Sequence, residues 1–160
     1  MKKLVLFVCL TMSFSCLFAQ TSGSSGESIA TAAGFLTITK LNSSKPGDGG
    51  AFAVRLNGKD FDVLYGVKYV YFADVKKEVA SRIIVEDYIG GFSTPPVLLL
   101  YDFLGKTPRV FNVSDSLDVA QVCWSTKSVF LQSNDRWYEF RGTHLVRRQP
   151  AKNCDSRGQS

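Results

Sequence analysis

Short alternating runs of apolar and polar residues, separated by turn residues at intervals of about 8–12, constrain this chain more than any other feature. Val67-Lys68-Tyr69-Val70-Tyr71-Phe72 and Trp137-Tyr138-Glu139-Phe140-Arg141 are typical of them. A period of two places alternate side chains on opposite faces of a strand, and β-branched and aromatic residues suit a half-buried sheet surface. No amphipathic pattern longer than a turn or two of helix interrupts the series. The pattern predicts an all-β single domain of nine or ten short strands, an antiparallel meander forming a sandwich or open barrel.

Particular residues fix parts of that meander. Asn57-Gly58 stands between Ala51-Phe52-Ala53-Val54-Arg55-Leu56 and Lys59-Asp60-Phe61-Asp62-Val63-Leu64. A type I′ turn needs positive φ at both central positions, which Asn and Gly tolerate best, so a two-residue hairpin is expected here. Asp74 to Ala80 is compatible with a helical turn. The β-branched run Ile83-Ile84-Val85 that follows favours a hairpin around Asp74–Lys77 instead. Val97-Leu98-Leu99-Leu100-Tyr101-Asp102-Phe103 is the most apolar run after the N-terminal segment and reads as the central strand.

The N-terminus has a different grammar. Met1-Lys2-Lys3 precedes a nearly unbroken apolar stretch from Leu4 to Phe18. A basic start, an apolar middle and a small residue at Ala19 match a secretory signal over residues 1–19, too short for a spanning helix of about 20 residues. A cut before Cys16 is the alternative, and Cys16 also admits lipoprotein anchoring. These features predict a periplasmic or secreted protein. Loss of Lys2 and Lys3 with the signal lowers the formal net charge from +5 to +3. Residues 20–32, rich in Ser, Thr, Gly and Ala, read as a flexible leader, 33–149 as the β-rich domain and 150–160 as a polar tail.

Of the four cysteines, Cys9 and Cys16 fall in the signal, leaving Cys123 and Cys154. An even pair in an oxidising compartment predicts a disulfide from a strand to the tail, adding roughly 3–4 kcal/mol by loop closure. The alternative is a buried free thiol at Cys123. With neither a CxxC nor a Cys/His cluster, no metal is expected, and no cofactor motif is present.

The catalytic vocabulary is thin. His144 is the only histidine, and no GxSxG elbow, Walker A loop or dinucleotide fingerprint occurs. Glu86 and Asp87 are adjacent, so on a strand they diverge. Glu86 and Asp102 flank one loop and are the remaining carboxylate pair. The expectation is a protein that is not an enzyme.

Two stretches read as binding candidates. Gly90-Gly91-Phe92 opens a loop that continues to Pro95-Pro96 and carries an apolar ring between conformationally free residues. The second is basic and aromatic: Arg136, Arg141, Arg147, Arg148, Lys152 and Arg157 face only Glu139 and Asp155 over residues 136–160, with Trp137 and Tyr138 interleaved. Such a face attracts a protein partner in the envelope or an anionic envelope polymer. The bland reading is a solvated strand edge whose charges block edge-to-edge pairing. Nucleic acid is not an expected partner of an exported chain, and no transmembrane segment remains after signal removal.

The segments Arg55-Leu56-Asn57-Gly58-Lys59, Ile84-Val85-Glu86-Asp87-Tyr88-Ile89-Gly90-Gly91, Val97-Leu98-Leu99-Leu100-Tyr101-Asp102 and Tyr138-Glu139-Phe140 together resemble a loose class of small exported bacterial β-proteins. The resemblance covers roughly residues 35–148. Many members carry a Cys after the Gly-Gly loop, where this chain has Phe92-Ser93-Thr94. Inhibitors of periplasmic lysozyme and immunity proteins against periplasm-directed toxins are comparable in size and export. The resemblance implies a binder of that kind, with an envelope-associated structural or glycan-binding protein as the alternative, and carries over no catalytic residues.

Overall fold

The computed structural model describes residues 26–41, 50–90, 94–151 and 155–157. Among them the chain is all-β, without a helix, in a single domain. The strands are β1 (Glu27–Thr31), β2 (Gly34–Leu41), β3 (Ala51–Leu56), β4 (Lys59–Leu64), β5 (Lys68–Lys76), β6 (Val79–Tyr88), β7 (Val97–Asp102), β8 (Arg109–Ser114), β9 (Gln121–Trp124), β10 (Val129–Ser133), β11 (Arg136–Arg141), β12 (His144–Arg147) and β13 (Asp155–Arg157). This exceeds the nine or ten expected. Two of the additions lie where the sequence reads as unstructured, β1 in the leader and β13 in the polar tail.

β1 forms because Ile29 can pack on the core while Glu27 accepts hydrogen bonds from the hydroxyls of Tyr69 (3.3 Å) and Tyr71 (2.6 Å). Its polar composition hid one anchoring apolar residue and one anchoring acid. The proposed signal at 1–19, the loop residues Gly91 and Phe92, and Cys154 lie outside the described residues.

Two four-stranded antiparallel meanders build an eight-stranded, nearly closed barrel-like sheet. One runs β4-β3-β2-β1, and in the other β6 lies between β5 and β7, with β8 beyond. They join through a short parallel bridge at Thr31–Ala80, reinforced by the Ala32 N–H on the Ala80 carbonyl (2.9 Å). A second sheet, ordered β12-β11-β10-β9-β13, covers the outer face of the second meander.

The hairpin at Asn57-Gly58 has the expected geometry, with φ of 52° and 77°. Its asparagine does more than turn the chain. The Asn57 carboxamide accepts from the Phe35 N–H and donates to the Ala33 carbonyl, both at 2.9 Å, so the tip clasps the β1–β2 turn. A Cβ on Gly34 would collide with that carboxamide. The β5–β6 hairpin also forms as expected, but its turn residues Lys77 and Glu78 sit at φ of 52° and 68°. Left-handed backbone is unfavourable for long side chains and acceptable for Asn or Gly.

Alternation sorts the side chains into two cores. From β5–β7, Tyr69, Ile83, Val85 and Tyr101 join Leu36, Ile38, Phe52, Val54 and Leu64 of the first meander. Phe72, Ile84, Leu98 and Leu100 face the other way, onto Val122, Val129, Leu131 and Phe140 of the second sheet. The middle layer is therefore buried on both faces. The strand that best expresses this is β6 rather than the expected Val97–Phe103 run, since Arg82 to Asp87 are all buried. Its charged residues disguised it.

Asp87 shows how such a residue is accommodated. Its carboxylate accepts the N–H groups of Tyr65 (2.9 Å) and Gly66 (2.8 Å), fixing the β4–β5 turn against the end of β6. A side chain on Gly66 would strike the same carboxylate.

One prediction tests the turn argument. Replacing Lys77→Asn together with Glu78→Gly should stabilise the protein by about 1 kcal/mol, because these residues adopt the left-handed region with less strain. Urea unfolding measures it, and an unchanged or lower midpoint would contradict the reading of this turn.

Candidate functional site

Arg82 lies beneath an open cleft and organises its floor. It is the one basic residue in the buried run of β6, only 6% exposed, on the face that meets the second sheet. Its Nε and Nη2 donate to Asp74 Oδ2 at 3.2 and 2.7 Å. Nη2 also donates to the Ser125 carbonyl (2.7 Å) and Nη1 to the Ser128 carbonyl (3.2 Å). The guanidinium lies over the Trp124 ring, 5.0 Å from its centroid. Ser81 Oγ donates to the same Asp74 oxygen at 3.0 Å. A buried charge requires this completeness, since an unpaired one costs several kcal/mol. Together these bonds fasten the β9–β10 turn, closed by the Ser125 N–H on the Ser128 carbonyl (3.0 Å), to the β5–β6 hairpin.

Above this junction lies an open cleft of about 810 Å³. Its walls come from the end of β5, the β9–β10 turn, the outer face of β10–β11, and the chain after β12. Arg82 is neutralised by Asp74, and Arg148 pairs with the buried Glu139 at 3.0 Å. Lys76, Lys127 and Arg141 are exposed and have no ion-pair partner among the described residues. Among the described residues the cleft thus carries a surplus of three positive charges beside Trp124 and Phe130. A smaller cavity of about 270 Å³ lies beside it, sharing Arg82, Thr126, Lys127 and Ser128.

The expected site residues divide. Arg141 and Arg148 line the cleft. Arg136 and Arg147 are exposed on β11 and β12 and do not line it. Trp137 and Tyr138 are adjacent on β11 and project to opposite faces; Tyr138 packs on the core shared with β6 and β7. They therefore form no joint stacking surface. Gly90 is exposed at φ 112°, just beyond the end of β6 opposite Arg82. Gly90 therefore stands away from the cleft that Arg141 and Arg148 line. Asp74, Lys76, Arg82, Trp124 and Lys127 join the cleft from outside the basic segment. The one available signal was Arg82, a lone cation in Ser81-Arg82-Ile83-Ile84-Val85.

The carboxylates do not form a catalytic pair. Glu86 stands opposite Leu98, and Asp102 opposite Arg82, which separates them along the ladder. Glu86 and Asp87 diverge as strand geometry requires. Glu86 is 1% exposed; Oε1 accepts the Val119 N–H (2.8 Å) and Oε2 the Tyr88 hydroxyl (3.1 Å). Burial pushes its pKa up from 4.5 to about 7, Asp118 adds to the rise, and these hydrogen bonds and Lys68 oppose it. Burial also raises Asp87, against the lowering effect of its two backbone N–H partners.

Among the described residues no helix is long and apolar enough to cross a membrane, and no group of three or more His, Cys, Asp or Glu side chains could hold a metal ion. No protein-family model, curated protein or solved structure matches the chain.

The Glu86 shift has a measurable consequence. Between about pH 4.5 and 7 the folded protein keeps a proton that the unfolded chain releases. Its contribution to stability is therefore greatest below that window, falls as pH rises through it, and is level above. The fall is at most about 1.4 kcal/mol per pH unit for one proton. Glu86→Gln retains an acceptor for Val119 and removes the titration, so the fall should flatten, leaving the smaller Asp87 component. Denaturant unfolding from pH 4 to 8 measures this, and an unchanged slope in the variant would contradict it.

Proposed function

We propose that this chain is a non-enzymatic exported binding protein, an inhibitor or immunity protein that engages a toxin or cell-wall hydrolase in the envelope, and that the Arg82 cleft is its recognition site. The carrying observation is the surplus of Lys76, Lys127 and Arg141 in one concavity whose other charges are internally paired. Positive charge on a scaffolded turn steers an acidic partner and selects against basic ones. The non-enzymatic reading is supported by the burial of Glu86, a carboxylate raised to near neutrality whose two oxygens already serve Val119 and Tyr88.

Export rests on the Met1–Ala19 pattern and on the proposed Cys123–Cys154 disulfide. Support for that bond is the antiparallel pairing of β13 on β9, which sets Ser156 opposite Cys123, and the engaged state of the buried Cys123 thiol. The bond would tie the tail that follows the cleft residues Arg148, Gln149 and Ala151. Thiol labelling of the secreted, unfolded chain should find neither cysteine free until reductant is added. Two reactive thiols without reductant would remove this support.

The function itself is tested by capture from envelope extract. The wild-type chain should retain one specific acidic protein, and Lys127→Glu with Arg141→Glu should lose it at unchanged melting temperature. Retention of no protein, or equal retention by both, would overturn the assignment. Binding to peptidoglycan sacculi in its place would favour the envelope glycan-associated alternative.

A further inference from the structure

Two observations narrow what the cleft can hold. The first is the distribution of its charge. Lys76 stands at the end of β5, Lys127 on the β9–β10 turn and Arg141 at the end of β11. A single phosphate or sulfate is held best by donors that converge on it. Here the one deeply placed guanidinium is committed, with four of its five N–H groups on Asp74, Ser125 and Ser128. The available cations instead surround the cleft from three elements, which suits a ligand bearing several negative groups along its length.

The second is the backbone at the rim. The Arg148 N–H donates to the Trp137 carbonyl (3.0 Å), continuing the β11–β12 ladder one step past β12, the edge strand of the second sheet. Beyond it, Gln149 and Ala151 are exposed and line the cleft, and their backbone groups have no backbone partner among the described residues. Main-chain groups of Gln149 and Ala151, alternate residues on either side of Pro150 just past an edge strand, suit the pairing by which an extended peptide adds itself to a sheet. A sugar would rely more on aromatic stacking. The indole nearest the cleft, Trp124, already carries the Arg82 guanidinium over its ring.

We propose that the cleft binds an extended acidic peptide segment of the partner, its backbone paired along Gln149–Ala151 and its carboxylates set among Lys76, Lys127 and Arg141. The proposal rests on the reading of the cleft as the recognition site and names the class of its ligand. Charge supplies approach and selectivity, and main-chain pairing supplies a sequence-tolerant grip.

Isothermal titration of the full chain with three probes tests it. These are a blocked hexapeptide alternating Glu and Val, the same peptide with Gln for Glu, and polygalacturonate. The Glu peptide should bind, weaken as salt is added, and lose at least about tenfold in affinity on Lys127→Glu with Arg141→Glu. Unchanged melting of that variant would assign the loss to the site. Equal binding of the Gln peptide, no effect of the double variant, or tighter binding of polygalacturonate would overturn the proposal. If the peptide fails while the double variant still loses its envelope partner, the peptide class is wrong and the cleft remains the recognition site. If both fail, the reading of the cleft falls with it.

Discussion

The buried guanidinium of Arg82 is the interaction on which the union of the two sheets turns. Apolar packing between Ile84, Leu98 and Leu100 on one side and Val129, Leu131 and Phe140 on the other supplies most of the attraction. Such contacts are nondirectional and leave relative placement loosely defined. Arg82 adds direction, because its bonds to Asp74, Ser125 and Ser128 are satisfied together only when the β9–β10 turn sits over the β5–β6 hairpin. Loss of the side chain would leave Asp74 buried without its partner, a change that costs about 3–5 kcal/mol in comparable pairs. Glu86 repeats the device four residues along the same face, holding Val119 just before β9. A buried arginine and a buried glutamate on one strand thus pin the exit and the entry of β9.

The same strand serves the other face by a different residue. Asp87 holds the β4–β5 turn through Tyr65 and Gly66, while Ile83 and Val85 pack on the first meander. Three layers therefore meet at one strand whose side chains alternate strictly between them. A one-residue slip of β6 would send every buried charge into the wrong core, so register is enforced by polar chemistry as well as by hydrophobic pattern.

Much of the fold was legible because strand alternation and turn chemistry are local. Asn57-Gly58 announces its hairpin, and the β-branched run after Ala80 decides against a helix at residues 74–80. What stayed hidden depends on distant partners. β1 looks like a leader until Tyr69 and Tyr71 reach Glu27, and β6 looks half-exposed until Arg82, Glu86 and Asp87 find their acceptors and donors. The site was only partly legible for the same reason. Arg141 and Arg148 belong to a basic segment visible in composition, whereas Lys76 and Lys127 join them through tertiary contact alone. The separation of Trp137 from Tyr138 was available in the sequence, since neighbours on a strand face opposite ways.

The link between the buried and the exposed charges explains why the cleft has its character. The Ser125–Ser128 turn is fastened from beneath by Arg82, so the backbone that carries Lys127 is held before any ligand arrives. In the proposed recognition site, pre-organisation of this kind would lower the ordering cost of binding. Asp74 matters equally, because without it Arg82 would add a strong positive charge at the cleft floor and draw an anion inward. With Arg82 neutralised, the attractive charge stays at the rim, on residues exposed to solvent. On the proposed reading the rim charges govern encounter and selectivity while the deep polar contacts govern fold, so that the two tasks fall to neighbouring cations.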